Sequence, residues 1–350
     1  MITRSQTQGT GHCGISTARS RYCSPASCVP DYCESDDCQN VDCPVEYCVP
    51  CCPCACDESG RQWAFDVAAL GLFRSDPAAV GLLQNPLNAT EAVNGNQFEF
   101  AAAAGIEAGL TFYNEYPGIS VELRGMFPDT WQSTVRENFT GTSVTVEGRP
   151  ALVTTGPRNA TSIYASEFRS LMLNVRWNPQ FSPDTTLIVG VRSLTLDESL
   201  TSTLVDPNNA FPNEVIQSVT DNQLLGAQFG VSHKVFSTSD LCIKVDGRAG
   251  LLANDASQSS QLASLATPPV VFPSSGSTTE VAGLFELGIQ AKWRLCSHAN
   301  ALMGYRLLAL QGVSLASDQL PAVDFLNQRG LDTDSSLILQ ALTVGLEVHF

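Results

Sequence analysis

The chain has 350 residues, a formal net charge of -16, 43% hydrophobic and 8% aromatic residues, and a mean hydropathy of +0.02. So acidic a surface disfavours nucleic acid and anionic headgroups as partners. No stretch approaches about 18 consecutive apolar residues, which disfavours a membrane-spanning helix but not a β-barrel, where lumenal polar residues dilute the lipid-facing ones.

Residues 1 to 58 form a low-complexity segment. Cys23, Cys28, Cys33, Cys38, Cys43 and Cys48 recur every five residues, with Cys13 upstream and Cys51, Cys52, Cys54 and Cys56 downstream, so 11 of the 13 cysteines lie here. Pro, Ser and acidic residues between them leave too few large apolar groups for a core. The segment is expected to be a disordered, disulfide-capable periplasmic arm. A metal site fits less well, because the spacing is not that of CxxC knuckles and only His12 is near. A tether with no fixed pairing is the third alternative. Residues 1 to 30 hold no apolar run of seven, hence no legible secretion signal. The expectation is that the numbering begins downstream of the true start or after cleavage.

From residue 61 the period changes to two. Ten strands are predicted at about 63–74, 97–112, 118–127, 163–177, 185–196, 222–232, 241–254, 280–295, 300–313 and 337–350. Most are far longer than the roughly five or six residues of soluble strands, and about 9 to 11 tilted residues cross a bilayer. Short connections follow the second, fourth, sixth and eighth strands, and long ones follow the others. This is the asymmetry of short periplasmic turns and long extracellular loops, and an even strand count puts both termini in the periplasm. The predicted fold is all-β: a closed antiparallel up-and-down transmembrane β-barrel of ten strands, or twelve, over residues 61–350.

Two strands show the faces best. Phe98, Phe100, Ala102, Ala104, Ile106, Ala108, Leu110 and Phe112 oppose Glu99, Gly105, Glu107, Gly109 and Thr111, and Phe285, Leu287, Ile289, Ala291 and Trp293 oppose Glu286, Gly288, Gln290, Lys292 and Arg294. The apolar face is assigned to lipid and the charged face to the lumen. By the same alternation the lumen holds Asp66, Glu99, Glu107, Glu122, Asp246, Glu286 and Glu347 with Arg124, Arg176, Arg192, Lys244, Arg248, Lys292, Arg294 and Arg306. In a barrel this narrow, such side chains are expected to interlock as ion pairs and plug the interior. Trp63, Phe112, Tyr113, Trp177, Trp293 and Phe350 fall at the periplasmic rim, as an interfacial girdle requires. Cys242 and Cys296, near two periplasmic turns, are left either to pair or to stay reduced.

Catalytic signatures are missing from the sequence: it contains no GxSxG, HExxH or phosphate loop. His233, His298 and His349 map to the periplasmic rim, so no enzyme, cofactor or metal is expected. The last strand, Leu342 to Phe350, resembles the terminal strand that outer-membrane assembly machinery recognises.

Ser120–Arg124 (SVELR), Ser170–Arg176 (SLMLNVR), Gly190–Glu198 (GVRSLTLDE), Asn222–Gly230 (NQLLGAQFG) and Gly304–Gly312 (GYRLLALQG) resemble the β-barrel porins of planctomycetes, in that family's order. The resemblance implies an outer-membrane barrel and carries over no catalytic residue. Three functions follow as expectations. The first is a structural or anchoring barrel whose partners are outer-membrane lipid, the assembly machinery, and cell-wall protein or a second copy reached through the Cys-rich arm. The second is a narrow porin for small solutes, and the third a surface receptor or adhesin acting through the long loops.

Overall fold

The computed structural model describes residues 62–350 except 86–87, 115–117, 141–142, 147–148, 209, 211, 267–268 and 323–329. Pro53–Phe350 form one compact unit. The Cys-rich segment, with Cys13 and every cysteine from Cys23 to Cys56, lies outside the described residues.

Ten strand positions close into a ring. In chain order the strands are β1 (Trp63–Arg74), β2 (Gly81–Asn85), β3 (Asn88–Asn94), β4 (Ala103–Tyr113), β5 (Ile119–Pro128), β6 (Trp131–Phe139), β7 (Ser143–Val146), β8 (Arg149–Thr155), β9 (Arg158–Trp177), β10 (Thr185–Val205), β11 (Glu214–Ser237), β12 (Leu241–Ser264), β13 (Val270–Cys296), β14 (Ala299–Val313) and β15 (Ser335–His349), with one short helix, α1 (Ala316–Ala322), before the last. The ring runs β10-β11-β12-β13-β14-β15-β1-β4-β5-β9 and is sealed by β9 against β10. Every pairing in it is antiparallel, from Ala64↔His349 between β1 and β15 to Val205↔Asn159 between β10 and β9. Closure gives each of the ten ring strands a neighbour on both sides, the condition for strands to lie in hydrocarbon.

The alternation sets the two faces. Along β13, Leu287 is 62% exposed and Val281 73%, whereas Glu286 between them is 1% exposed. Val189 and Val191 on β10, Leu225 and Phe229 on β11, and Leu173 and Val175 on β9 point outward in the same way. The apolar belt ends where the outward positions become Glu167, Asp197 and Asp221, laterally paired across β9, β10 and β11. Like charges facing one another are tolerated there only where water screens them. One end of the ring carries the chain entry and exit, with the amides of Gln62 and Trp63 donating to the Phe350 carbonyl at 3.1 and 3.4 Å. The short connections β4–β5, β9–β10, β11–β12 and β13–β14 are at this short-turn end.

Some boundaries differ from the sequence reading. β4 begins at Ala103, not near 97, because Gly95–Gln97 form a 3-10 turn that ends the preceding segment. Phe98 is therefore buried in the interior rather than lipid-facing, Phe100 packs beside it, and Glu99 is exposed outside the ring. The predicted third strand continues past a bend: β5 pairs Ile119–Met126 with Trp177–Ser170 of β9, and β6 pairs Trp131–Phe139 with Ser166–Arg158 of the same strand. Four residues, Phe127 to Thr130, face three on β9 there, a bulge centred on a proline that cannot donate a ladder bond. β9 to β13 also reach beyond the belt at the long-loop end, where Ser, Thr and Gln such as Thr161, Ser199, Gln217, Ser257 and Ser275 interrupt the outward apolar run. The segments read as loops at 75–96 and 128–162 contain a second sheet, β3-β2-β7-β8.

If the outward face meets hydrocarbon, Leu287→Arg should destabilise the barrel by about 2 to 4 kcal/mol, whereas Gln290→Arg, inside the lumen, should cost less. Urea titration of the lipid-refolded protein measures both, and equal losses would contradict the face assignment.

Candidate functional site

In the short-turn half of the lumen each of the ten ring strands contributes a polar side chain. Alternation aims them inward, and glycines make the room: a Cβ on Gly109 would fall 2.4 Å from Asp66 Oδ1 and 2.9 Å from Arg124 Nη2. Gly190 is as tight, with Asn174 Oδ1 at 2.2 Å.

Arg124 occupies one side of this layer. Its Nη1 and Nη2 donate to both Asp66 oxygens at 3.0 and 2.9 Å, Nη1 also to Glu107 Oε1 at 2.6 Å, and Nε to Glu122 Oε1 at 3.4 Å. Glu107 is shared with Arg306, whose Nη2 reaches Oε1 at 3.1 Å and whose Nε lies 3.3 Å from Glu286 Oε1. Glu286 takes two further guanidinium groups, Arg192 Nη1 at 2.5 Å and Arg248 Nη1 at 3.2 Å. The pairs Glu107–Arg306 and Arg192–Glu286 each join strands three places apart in the ring, so they cross the lumen. Glu122 also receives Asn174 Nδ2 at 3.0 Å and Arg176 Nη1 at 3.3 Å, and Gln228 Nε2 donates to Asn174 Oδ1 at 2.6 Å. Nearer the rim, Lys292 Nζ donates to Glu347 Oε2 at 2.5 Å, and Asn300 Nδ2 to Glu347 Oε1 at 2.9 Å, with His349 Nε2 at 2.8 Å from the same oxygen. Asp246 stands 3.7 Å from Arg248 Nε.

Of the fifteen residues assigned to the lumen by alternation, Glu99 is the one outside it. Arg294 takes an inward register position opposite Asn300. Lys244 lines a polar cavity of about 50 Å³ with Arg176, Asp246, Gln290 and Lys292. That volume holds a few waters. Of the assigned set six acids and eight bases therefore remain on the inward face, and Arg74 and Glu198 form a further buried pair that the alternation did not assign.

Toward the long-loop end the inward face changes character, which the alternation did not reveal. Leu70, Leu72, Met126, Trp131, Phe168, Leu194, Leu196, Leu224, Leu252, Leu284, Leu308, Leu310, Leu337 and Leu339 form a continuous apolar cluster across the interior. Trp131, the tryptophan away from the rim, belongs to it, and its Nε1 donates to the Leu72 carbonyl at 3.1 Å. A second cluster above it joins Leu82, Leu83, Val93 and Val144 from the added sheet to Phe98, Tyr164, Leu200, Leu204 and Leu320.

The connection between β14 and β15 folds inward onto these layers. Asn222 holds it by donating to the Ser314 carbonyl at 2.8 Å and accepting from the Ser314 amide at 2.7 Å, and Asn254 donates to the Gly312 carbonyl at 3.0 Å. Glu198, itself paired with Arg74 at 2.6 Å and Tyr164 at 2.5 Å, accepts from the Ala316 amide at 3.0 Å. Arg74 lies 4.4 Å over the Phe100 ring. Burial raises the Asp318 carboxyl, which accepts from the Ser317 and Ser335 hydroxyls, above its usual range.

Trp63, Phe112, Trp177, Trp293 and Phe350 are exposed on the outer face at the short-turn end, Tyr113 half-buried beside them, and Trp63 and Phe112 stack at 4.7 Å. Cys242 and Cys296 do not pair: Cys242 is disulfide-bonded and Cys296 is free and exposed. Among the described residues no His, Cys, Asp and Glu group is arranged to hold a metal ion.

No protein-family model and no curated protein matches this chain. Among solved structures it is similar to the outer-membrane protease OmpT of Escherichia coli at 12% identity and a TM-score of 0.40, over 83% of this chain and 97% of that one. The Pseudomonas putida toluene transporter TodX matches at 8% identity and a TM-score of 0.29, over 83% and 90%. An anion-selective porin from Comamonas acidovorans matches at 9% and 0.22, over 82% and 98%. At these values the likenesses carry no argument about activity.

Glu286→Gln would leave three guanidinium groups around a neutral amide in the lumen. Losing one partner of a buried pair costs about 3 to 5 kcal/mol. The expected outcome is a lowered temperature for the heat-induced shift of gel mobility. An unchanged midpoint would mean that water, rather than Glu286, compensates Arg192.

Proposed function

We propose that the chain is a bacterial outer-membrane barrel with a closed lumen, serving a structural or anchoring role, both termini in the periplasm and the short-turn end facing it. The observation that carries this reading is the double filling of the interior: a charged layer spanning the ring in one half and an apolar layer with an inward-folded connection in the other. A conducting pore needs a continuous wetted path, and this lumen is interrupted by two layers of opposite chemistry. The exposed apolar belt supports outer-membrane lipid as the solvent of the outer face, and the aromatics at the short-turn rim suit the water–lipid interface.

The Cys-rich arm would supply the anchoring through disulfides to cell-wall protein or to a second copy, and the terminal strand ending at Phe350 would be the element read by the assembly machinery. The resemblance to planctomycete β-barrel porins belongs to the same proposal and rests on the sequence segments alone. A narrow porin is the second reading, favoured by the water-sized cavity beside Lys244 and Lys292.

Purified protein in planar bilayers should therefore give no steady single-channel conductance. Arg124→Ala should stay closed as well, because removing that guanidinium leaves the Leu72–Leu194–Leu310 layer in place. Stable open channels from the unmodified protein would replace the closed-barrel reading with the porin one.

A further inference from the structure

Val313 and Ser335, the two ends of the β14–β15 connection, face each other in the hairpin register, so the ring closes beneath the connection without using it. The first part of the connection, residues 314–322, runs into α1, which packs against β10, β11 and β12. Among the described residues no main-chain to main-chain bond ties this part to a strand. Side chains of the wall hold it instead: Asn222 engages both main-chain groups of Ser314, and Glu198 accepts from the Ala316 amide. Leu315, Ala316 and Leu320, all buried, add the apolar contact that keeps it inside.

We propose that residues 314–322 are a strap that undocks from the interior as one unit while the ten-strand ring stays closed, uncovering the wall face of Asn222, Asn254 and Thr220 at the long-loop end. The docked state carries a cost that release removes. Thr220, which lies beside Glu198 in register, has its Oγ1 buried without a hydrogen-bond partner, as are Asn254 Oδ1 and Ser314 Oγ. A buried polar group left unsatisfied costs its full desolvation, and an open strap returns all three to water. Undocking is all-or-none. The bonds to Asn222 and Glu198 lie in an apolar setting, where water cannot replace one of them while the other stays closed. The ring does not resist, because the ladders of β14 with β13 and with β15 are complete without the strap.

The strap goes beyond the closed-barrel reading and does not depend on it. The Leu72–Leu194–Leu310 layer belongs to the strands and stays in place when the strap leaves. Release therefore opens no path through the ring. It turns the long-loop half into a vestibule that is covered and uncovered, with neutral amide and hydroxyl groups along its wall.

The test is amide hydrogen exchange of the full chain, folded in detergent and read by mass spectrometry, with heat-modifiable gel mobility as the check on the ring. In the unmodified protein the Ser314 and Ala316 amides should exchange about 100-fold or more faster than the ladder amides around Leu308 and Leu339, as a separate opening unit requires. Leu320→Ala should speed the strap amides by about 30-fold, the low end of what losing a buried leucine side chain brings, and leave the ladder amides as they are. Thr220→Val should act in the opposite direction and slow the strap amides about fivefold or more, because it removes the unsatisfied hydroxyl and keeps its shape. A contact that only held the fold together would gain nothing from that change. Strap amides that exchange in step with the ladder, ladder amides that accelerate together with the strap in Leu320→Ala, or Thr220→Val without slowing would each overturn the proposal. Should Leu320→Ala yield no heat-modifiable protein, the unmodified chain and Thr220→Val still decide. Stable open channels in planar bilayers would instead fail the closed-barrel reading alone.

Discussion

The interior is governed by one constraint: a ten-strand ring is too narrow to keep charged side chains hydrated one by one, so each must be neutralised by another across the lumen. Glu286 meets this by serving three guanidinium groups from β10, β12 and β14. Glu107 and Glu122 are shared in the same manner. The choice of arginine follows from geometry, since a planar fork can give one edge to Asp66 and the remaining donor to Glu107, as Arg124 does, whereas an ammonium offers no such fixed fork. Lysine appears nearer the rim, at Lys292, where one short contact to Glu347 suffices. The side chains therefore fix the spacing of strands that are not neighbours, and the ring is braced across its diameter as well as around its perimeter.

Such a layer contributes more to specificity than to stability. Desolvating six acids and eight bases costs much of what their attraction returns, and apolar residues of equal volume would fill the space at least as cheaply. The molecule does use that cheaper filling in the other half, where leucines of seven strands meet Trp131 and Phe168. Register offers a reason for having both. A one-residue slip exchanges inward and outward faces, and it would put charge into the apolar belt, where leucine layers alone would leave a slipped strand apolar on both sides.

Sequence periodicity was sufficient for the ring because lipid and lumen make opposite demands on alternate residues. The ten strand positions and the inward parity of Asp66, Arg124, Arg192 and Glu286 come from that contrast. It fails where one demand disappears. Beyond the belt both faces of β9 to β13 meet polar or mixed surroundings, so their extensions to Val205 and Ser264 carry no period-two signal. Alternation carried through Gly95–Gln97 puts Glu99 on the wrong side, because the 3-10 turn there resets the period. The apolar inner layer is hidden for another reason: Leu70, Leu72 and Leu308 lie on the parity of Asp66 and Arg306, and alternation sorts residues by side without telling where along a strand the inward face changes from charged to apolar. The inward fold of the β14–β15 connection depends on Asn222 and Asn254, two amides among many, whose partners are 92 and 58 residues away.

On the closed-lumen proposal, the two layers divide the labour of closure between the ends. At the long-loop end the seal is built from the wall and its own connection, with Glu198 binding the start of α1 and Asn222 binding Ser314, so opening it means breaking buried hydrogen bonds in an apolar setting, where water offers no substitute partner. At the short-turn end the seal is ionic and borders a cavity large enough for water, so its bonds can be exchanged for hydration as they break. The ionic end is therefore the more labile of the two.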